Sequence, residues 1–140
     1  MKILGLDIGS KRIGVAVSDP LGITAQGLLT LEKTKDADFI KRLRDIILKE
    51  EIKEIVVGLP LNMNGSCGPQ AKGAISFADN LKDKFEIPVK LWDERMSTME
   101  VERIMIQADT SRSKRKKKID KLAAQVILQS YLNARGNNGG

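Results

Sequence analysis

The hydrophobic period of this chain first changes near residue 37, and that change constrains its fold more than any other feature. Before it, apolar residues follow a strand pattern. Lys2 to Ile8 is β-rich around Ile3, Leu4 and Leu6, and Ile13 to Ser18 reads as a second strand after the turn Gly9-Ser10-Lys11-Arg12. Ile23 to Leu31 reads as a third strand, after Pro20-Leu21-Gly22. Connections this short predict an antiparallel meander. After the change, Ala37 to Glu51 places Phe39, Ile40, Leu43, Ile46 and Ile47 at helical spacing.

Strands and helices then alternate. Glu54 to Leu59 is a dense apolar strand, and Pro60 to Gly68 is a loop rich in Asn and Gly. Pro69 to Phe85 reads as a helix with Ala71, Ala74, Ile75, Ala78 and Leu81 inward, and Pro88 to Trp92 as a fifth strand. Ser97, with Glu100 three residues on, is a candidate N-cap for a helix through Gln107. Lys118 to Ala134 reads as a last helix with Leu122, Ala123, Val126, Ile127 and Leu132 on its apolar side. The order β-β-β-α-β-α-β-α-α predicts an α/β fold, a mixed sheet with helices on its faces. The 140 residues suit one domain, expected over 1–134, with a flexible tail over 135–140.

Composition removes several chemistries. The chain has no histidine, which excludes a Ser-His-Asp triad, a Cys-His pair and an imidazole metal site. A bound metal would need oxygen ligands, which favours Mg²⁺ or Mn²⁺. Cys67 is the single cysteine, so no internal disulfide forms. No apolar run has the length of a transmembrane helix, and no membrane partner is expected. The opening Met1-Lys2-Ile3-Leu4-Gly5-Leu6-Asp7 meets an acid too early for a signal peptide, so a cytoplasmic protein is expected. The net charge of +6 suits a polyanionic partner, though a merely soluble basic domain would carry it too.

Acids in three separate segments could do chemistry. Asp7 stands between Leu6 and Ile8 in an apolar strand, where a carboxylate is costly unless a cation, backbone donors or a metal compensates it. A plainer account pairs it with Arg12. Asp93-Glu94-Arg95 follows the fifth strand, and ligands gather at the carboxyl ends of strands in open α/β sheets. Two adjacent acids point different ways, so one is expected to join a shared site, unless Glu94 merely pairs with Arg95. Asp120 opens the last predicted helix, where the helix dipole favours an acid whatever the function. The small pair Ala123-Ala124 would let that helix approach the sheet and bring Asp120 toward Asp7. Converging carboxylates could hold one or two hard cations, and two ions about 3.5–4 Å apart suit phosphodiester cleavage.

Two loops stand out. Asp109 to Lys118 carries six cationic side chains, Arg112, Lys114, Arg115, Lys116, Lys117 and Lys118. It reads as a segment mobile on its own, either a solvated linker or a flap that orders on nucleic acid. Asn62 and Asn64 follow a strand end, and turn chemistry explains them better than phosphate binding. Trp92 and Phe39 read as core, and Cys67 as incidental.

Four motifs carry a resemblance that runs in order from residue 2 to about 133. Gly5-Leu6-Asp7-Ile8-Gly9-Ser10-Lys11-Arg12-Ile13-Gly14 resembles the opening of the YqgF (RuvX) family. So do Val57-Gly58-Leu59-Pro60-Leu61-Asn62-Met63-Asn64-Gly65, Asp93-Glu94-Arg95-Met96-Ser97-Thr98 and Ile119-Asp120-Lys121-Leu122-Ala123-Ala124. Small departures, at Leu28, Ser97 and Glu100, remove no carboxylate. The resemblance implies a ribonuclease H-like fold with sheet order 3-2-1-4-5, related to RuvC-type Holliday-junction resolvases. It implies a nuclease that matures the 5′ end of precursor 16S ribosomal RNA, with Asp7, Glu94 and Asp120 as catalytic, metal-binding acids. Lys11, Arg12, Arg95, Arg112, Lys114, Arg115, Lys116 and Lys117 are the expected nucleic-acid contacts. The expected partner is structured RNA, including RNA on the assembling ribosome, bound by a monomer or homodimer. Resolution of branched DNA and RNA binding without cleavage are the alternatives. A nucleotide-binding module, suggested by Asp7-Ile8-Gly9, would need a duplicated fold that one copy does not supply.

Overall fold

The computed structural model describes residues 1–33, 36–94 and 112–137, without the side chains of 36–37, 112–120 and 137. Among the described residues the strands are β1 (Lys2–Ile8), β2 (Arg12–Ser18), β3 (Ala25–Glu32), β4 (Ile52–Leu59) and β5 (Val89–Asp93). The helices are α1 (Asp36–Lys49), α2 (Pro69–Lys84) and α3 (Arg112–Asn137). The sheet has the order β3-β2-β1-β4-β5, with β1–β2 and β2–β3 antiparallel and β1–β4 and β4–β5 parallel. This is the mixed sheet expected, with β1 and its Asp7 at the centre.

Alternation along the strands builds two cores. Leu4 and Leu6 of β1, Ile55 and Val57 of β4, and Ile13 and Val15 of β2 pack with Phe39 and Leu43 of α1 and Ala74, Ala78 and Leu81 of α2. On the other face Ile3, Ala16 and Val56 pack with Ala124, Ile127, Leu128, Tyr131 and Leu132 of α3. Gly5 sets how close α3 comes. A Cβ there would stand 2.8 Å from Leu128 Cβ and 3.3 Å from the Ala124 carbonyl oxygen, so the helix backbone rests almost on the strand. That approach turns Ala124 and Leu128 inward and leaves Leu122, Ala123 and Val126 half-buried, which corrects the predicted apolar face.

Element boundaries differ in instructive places. β3 begins at Ala25, not Ile23, because the Asp19 carboxylate captures the preceding amides. Its Oδ1 accepts from Ile23 N at 2.7 Å and Thr24 N at 2.8 Å, and its Oδ2 from Leu21 N at 3.3 Å. These bonds, Thr24's foremost, hold the Asp19 carboxyl below its ordinary value. Helix α3 begins at Arg112, so residues 112–118 are helical rather than a linker, and Asp120 lies in the helix interior rather than its first turn. Lys and Arg are good helix formers, and a run of them extends a helix anchored further on. The helix also continues to Asn137. The predicted helix from Ser97 to Gln107 lies outside the described residues. No described helix is long and apolar enough to cross a membrane.

At the sheet edge, α3 reaches over to β3. Gln129 Oε1 accepts from Ala25 N at 2.9 Å and Gln125 Oε1 from Gly27 N at 3.3 Å, beside a register shift between Val15 and Ala16.

Candidate functional site

The carboxyl ends of β1, β4 and β5 converge on one cavity of about 350 Å³. Asp7, Ile8, Gly9 and Ser10 line it from β1 and its turn, Pro60 from the end of β4, and Glu94 from the end of β5. Lys33, whose Nζ donates to Gly9 O at 3.3 Å, and Gln70, Gly73, Ala74 and Phe77 of α2 complete the lining.

Local sequence explains how the acids arrive there. Asp7 is half-buried at the end of β1, in register with Gly14. The chain turns at once, with Gly9 N donating to Arg12 O at 2.9 Å. A Cβ at Gly9 would stand 2.7 Å from that same oxygen, so the tight turn requires glycine. Glu94 is held by its own backbone, whose N–H donates to Leu59 O at 3.2 Å. Its side chain folds over Gly58 on β4. A Cβ at Gly58 would collide with Glu94 Oε2 and stand 2.7 Å from Ile127 Cδ1. The glycine is therefore the cradle in which the carboxylate lies.

This placement is electrostatically costly. Burial, then the charges of Asp7 and Asp93, push the Glu94 carboxyl up to about 7. Acids brought together in a half-buried cavity are the kind of donor set that a hard divalent cation relieves, and all the donors are oxygens. The residues present thus fit Mg²⁺ or Mn²⁺. Among the described residues no three His, Cys, Asp or Glu side chains form a group that could hold a metal. The side chain of Asp120, the third acid expected, lies outside the description.

The structure brings Asp7 and Glu94 into one cavity. Asp120 lies on α3 four residues before Ala124, the residue whose carbonyl faces Gly5. Lys11 is exposed on the β1–β2 turn and Arg12 half-buried at the start of β2, and neither lines the cavity. Arg95 lies outside the described residues. Arg112, Lys114, Arg115, Lys116 and Lys117 lie on the first turns of α3, with their side chains outside the description. Asn62 and Asn64 do not line the cavity. They serve their own turn, with Asn62 Nδ2 donating to Ser66 Oγ at 3.0 Å and Asn64 Oδ1 accepting from Ser66 N at 3.0 Å. Sequence reasoning missed Ser10, Lys33, Gln70, Gly73 and Phe77 as lining residues. Only the rule that ligands gather at strand ends pointed toward them.

The fold is that of the resolvases. RuvC of T. thermophilus, solved with a Holliday junction substrate, superposes with a TM-score of 0.59 over 98% of this chain and 96% of its own, at 15% identity. The fowlpox virus Holliday junction resolvase does so with a TM-score of 0.55 over 96% and 99%, at 16% identity. This is a ribonuclease H-like architecture. A family model described as "RuvX: Holliday junction resolvase" matches residues 1–134, and the chain belongs to the RuvX family. Relatives carry the name "Putative pre-16S rRNA nuclease". One from Geobacillus kaustophilus is 56% identical over 96% of this chain and 99% of its own length. One from Clostridium acetobutylicum is 49% identical over the same shares.

Proposed function

We propose that this protein hydrolyses phosphodiester bonds in structured RNA with the help of Mg²⁺ or Mn²⁺, and that its substrate is the 5′ end of precursor 16S ribosomal RNA in the cytoplasm. The observation that carries this reading is that Asp7, from the end of β1, and half-buried Glu94, just beyond β5, line one cavity at the strand ends.

Asp7, on the central strand, and Glu94, in its Gly58 cradle, would hold one or two ions, with Asp120 completing the set from α3. The bound ions would supply charge neutralisation and an activated water. The protein's own part is to hold the carboxylates rigidly. Asp7 is fixed by its ladder with β2 and the Gly9 turn, and Glu94 by Leu59 and Gly58. Lys11, Arg12, Arg95 and the helical run Arg112, Lys114, Arg115, Lys116 and Lys117 would bind flanking phosphates.

The test is incubation with a precursor 16S RNA fragment in Mg²⁺, Mn²⁺ or EDTA, beside Asp7→Asn. Metal-dependent cleavage near the mature 5′ end, lost in the variant, is the expected result. Equal cutting by Asp7→Asn would overturn it. The resolvase fold and the family description favour a second reading, cleavage of four-way DNA junctions by a dimer. Junction cleavage without RNA cleavage would establish it, and metal-independent RNA binding without cleavage would assign a non-catalytic assembly role.

A further inference from the structure

Gly73 is the fifth residue of α2 and stands where a helix is ordinarily better served by alanine. Its backbone is ordinary helix, since the glycines with positive φ among the described residues are Gly22 and Gly65. A Cβ built on it meets nothing within 4 Å. Nothing in the fold therefore demands glycine there, in contrast to Gly5, Gly9 and Gly58, where backbone or side chains stand in the way. What Gly73 does is line the cavity that holds Asp7 and Glu94.

Its neighbours make the wall specific. Gln70, Gly73, Ala74 and Phe77 fall at helical spacing on one stripe of α2 and line the cavity together. Phe77 is half-buried and its ring is steadied by Phe39, with centroids 5.4 Å apart at 59°. Pro60 and Ile8 continue the apolar surface, and the Gln70 amide stands one turn earlier on the stripe. The Phe77 ring with Pro60 and Ile8 suits the flat face of a nucleobase, with the Gln70 amide at hand for its polar edge, while the cation of Lys33, also in the lining, suits a phosphate.

We infer that the cavity takes one unstacked nucleobase of the substrate, laid over Gly73 and against Phe77, with the adjoining phosphate directed at Asp7 and Glu94. This rests on the nucleic-acid reading above and narrows it. A base within a duplex cannot reach such a pocket, so the strand must be unpaired beside the bond that is cut. Gly73 is then a specificity residue, and its missing side chain is the space the base occupies.

The test measures binding rather than cutting. Wild type, Gly73→Ala and Gly73→Leu are titrated with a fluorescent single-stranded RNA oligonucleotide, with Ca²⁺ in place of Mg²⁺, and with an abasic ribose-phosphate oligomer of equal length. Gly73→Ala should melt about 3 °C higher without RNA, because alanine favours the helix. It should nonetheless bind the RNA about threefold more weakly, and Gly73→Leu about tenfold more weakly, the scale of a lost stacking contact. Neither change should alter affinity for the abasic oligomer. Equal RNA affinity of all three proteins would overturn the inference, and so would an equal loss with the abasic oligomer. Base-dependent binding by a protein that cuts no RNA in Mg²⁺ or Mn²⁺ would uphold the pocket and overturn only the nuclease reading. Undiminished cleavage by Gly73→Leu would do the reverse.

Discussion

Two glutamates enter the α3 face of this sheet, at opposite ends, and their surroundings differ in sign. Glu54, near the start of β4, is 4% exposed and is met by a hydroxyl and two cations. Tyr131 Oη donates to its Oε1 at 3.0 Å, Arg135 Nη1 to its Oε2 at 3.2 Å, and Lys90 Nζ lies 3.1 Å from Oε1. Glu94, just beyond β5, is set among acids and pushed up to about 7. The first carboxylate is solved within the protein and ties α3 to β4 and β5. The second is pushed upward by burial and by the acids beside it, and such shifts concentrate where a ligand acts. Burial of an acid is therefore a weak sign of function, and the sign of its neighbours is a stronger one.

The comparison can be broken most forcefully at Asp7. Asp7→Asn should lower cleavage by about a thousandfold, about 4 kcal/mol in the barrier, while leaving the metal-free fold as stable or more so. Kinetics and urea unfolding on one preparation check both halves, and a variant that unfolds as it loses activity would make Asp7 structural. Glu54→Ala should show the opposite pattern. It should cost about 2 kcal/mol in urea unfolding, below the usual penalty for a broken buried pair because Arg135 and Lys90 remain half-exposed and hydrated. Cleavage per folded molecule should hold.

Proton linkage sharpens the contrast. Glu94 titrates near 7 when folded, against an ordinary 4.5 in the unfolded chain. Between those values the folded state holds the extra proton, so metal-free stability should fall as pH rises through that window and level off above it. The loss should be about 2 kcal/mol after allowing for partial screening. Saturating Mg²⁺ or Glu94→Gln should remove the slope in unfolding curves at pH 5 and pH 8, and a stability that climbs with pH in plain buffer would contradict the cause given. The smallest effect belongs to Asp19, whose lowered carboxyl stabilises the β2–β3 turn above its unfolded value of 3.8 and ceases to as pH falls through its folded value. Asp19→Ala should lower the melting midpoint slightly at pH 7, and the difference from wild type should vanish in acid.

Much of this architecture is legible in the sequence because the strands are local patterns. Lys2–Ile8 needs only its own alternation to be a strand, and the strand-end rule brought Asp7 and Asp93-Glu94 to one edge. What could not be read depends on distant contacts. Two of the three partners of Glu54, Tyr131 and Arg135, lie 77 and 81 residues away, and the third, Lys90, is on another strand, so nothing near it marks it as buried. The wall of Gln70, Gly73 and Phe77 reads as ordinary helix until the sheet is set against it. The start of α3 was hidden by charge, since Arg112–Lys118 has no apolar side to announce a helix and is carried by the packed turns that follow.

The reach of Gln125 and Gln129 across to β3 bears on how the molecule behaves in a crowded cell. An open sheet ends in rows of backbone groups that a second copy can extend, and from there chains can add without limit. Here the amides of Ala25 and Gly27 are already engaged by the helix that carries Asp120. Growth by strand addition along that stretch would first have to peel α3 from the sheet. Resistance to self-association and the seating of α3 on the sheet are thus secured by the same contacts, and a lesion in one glutamine would surface as turbidity.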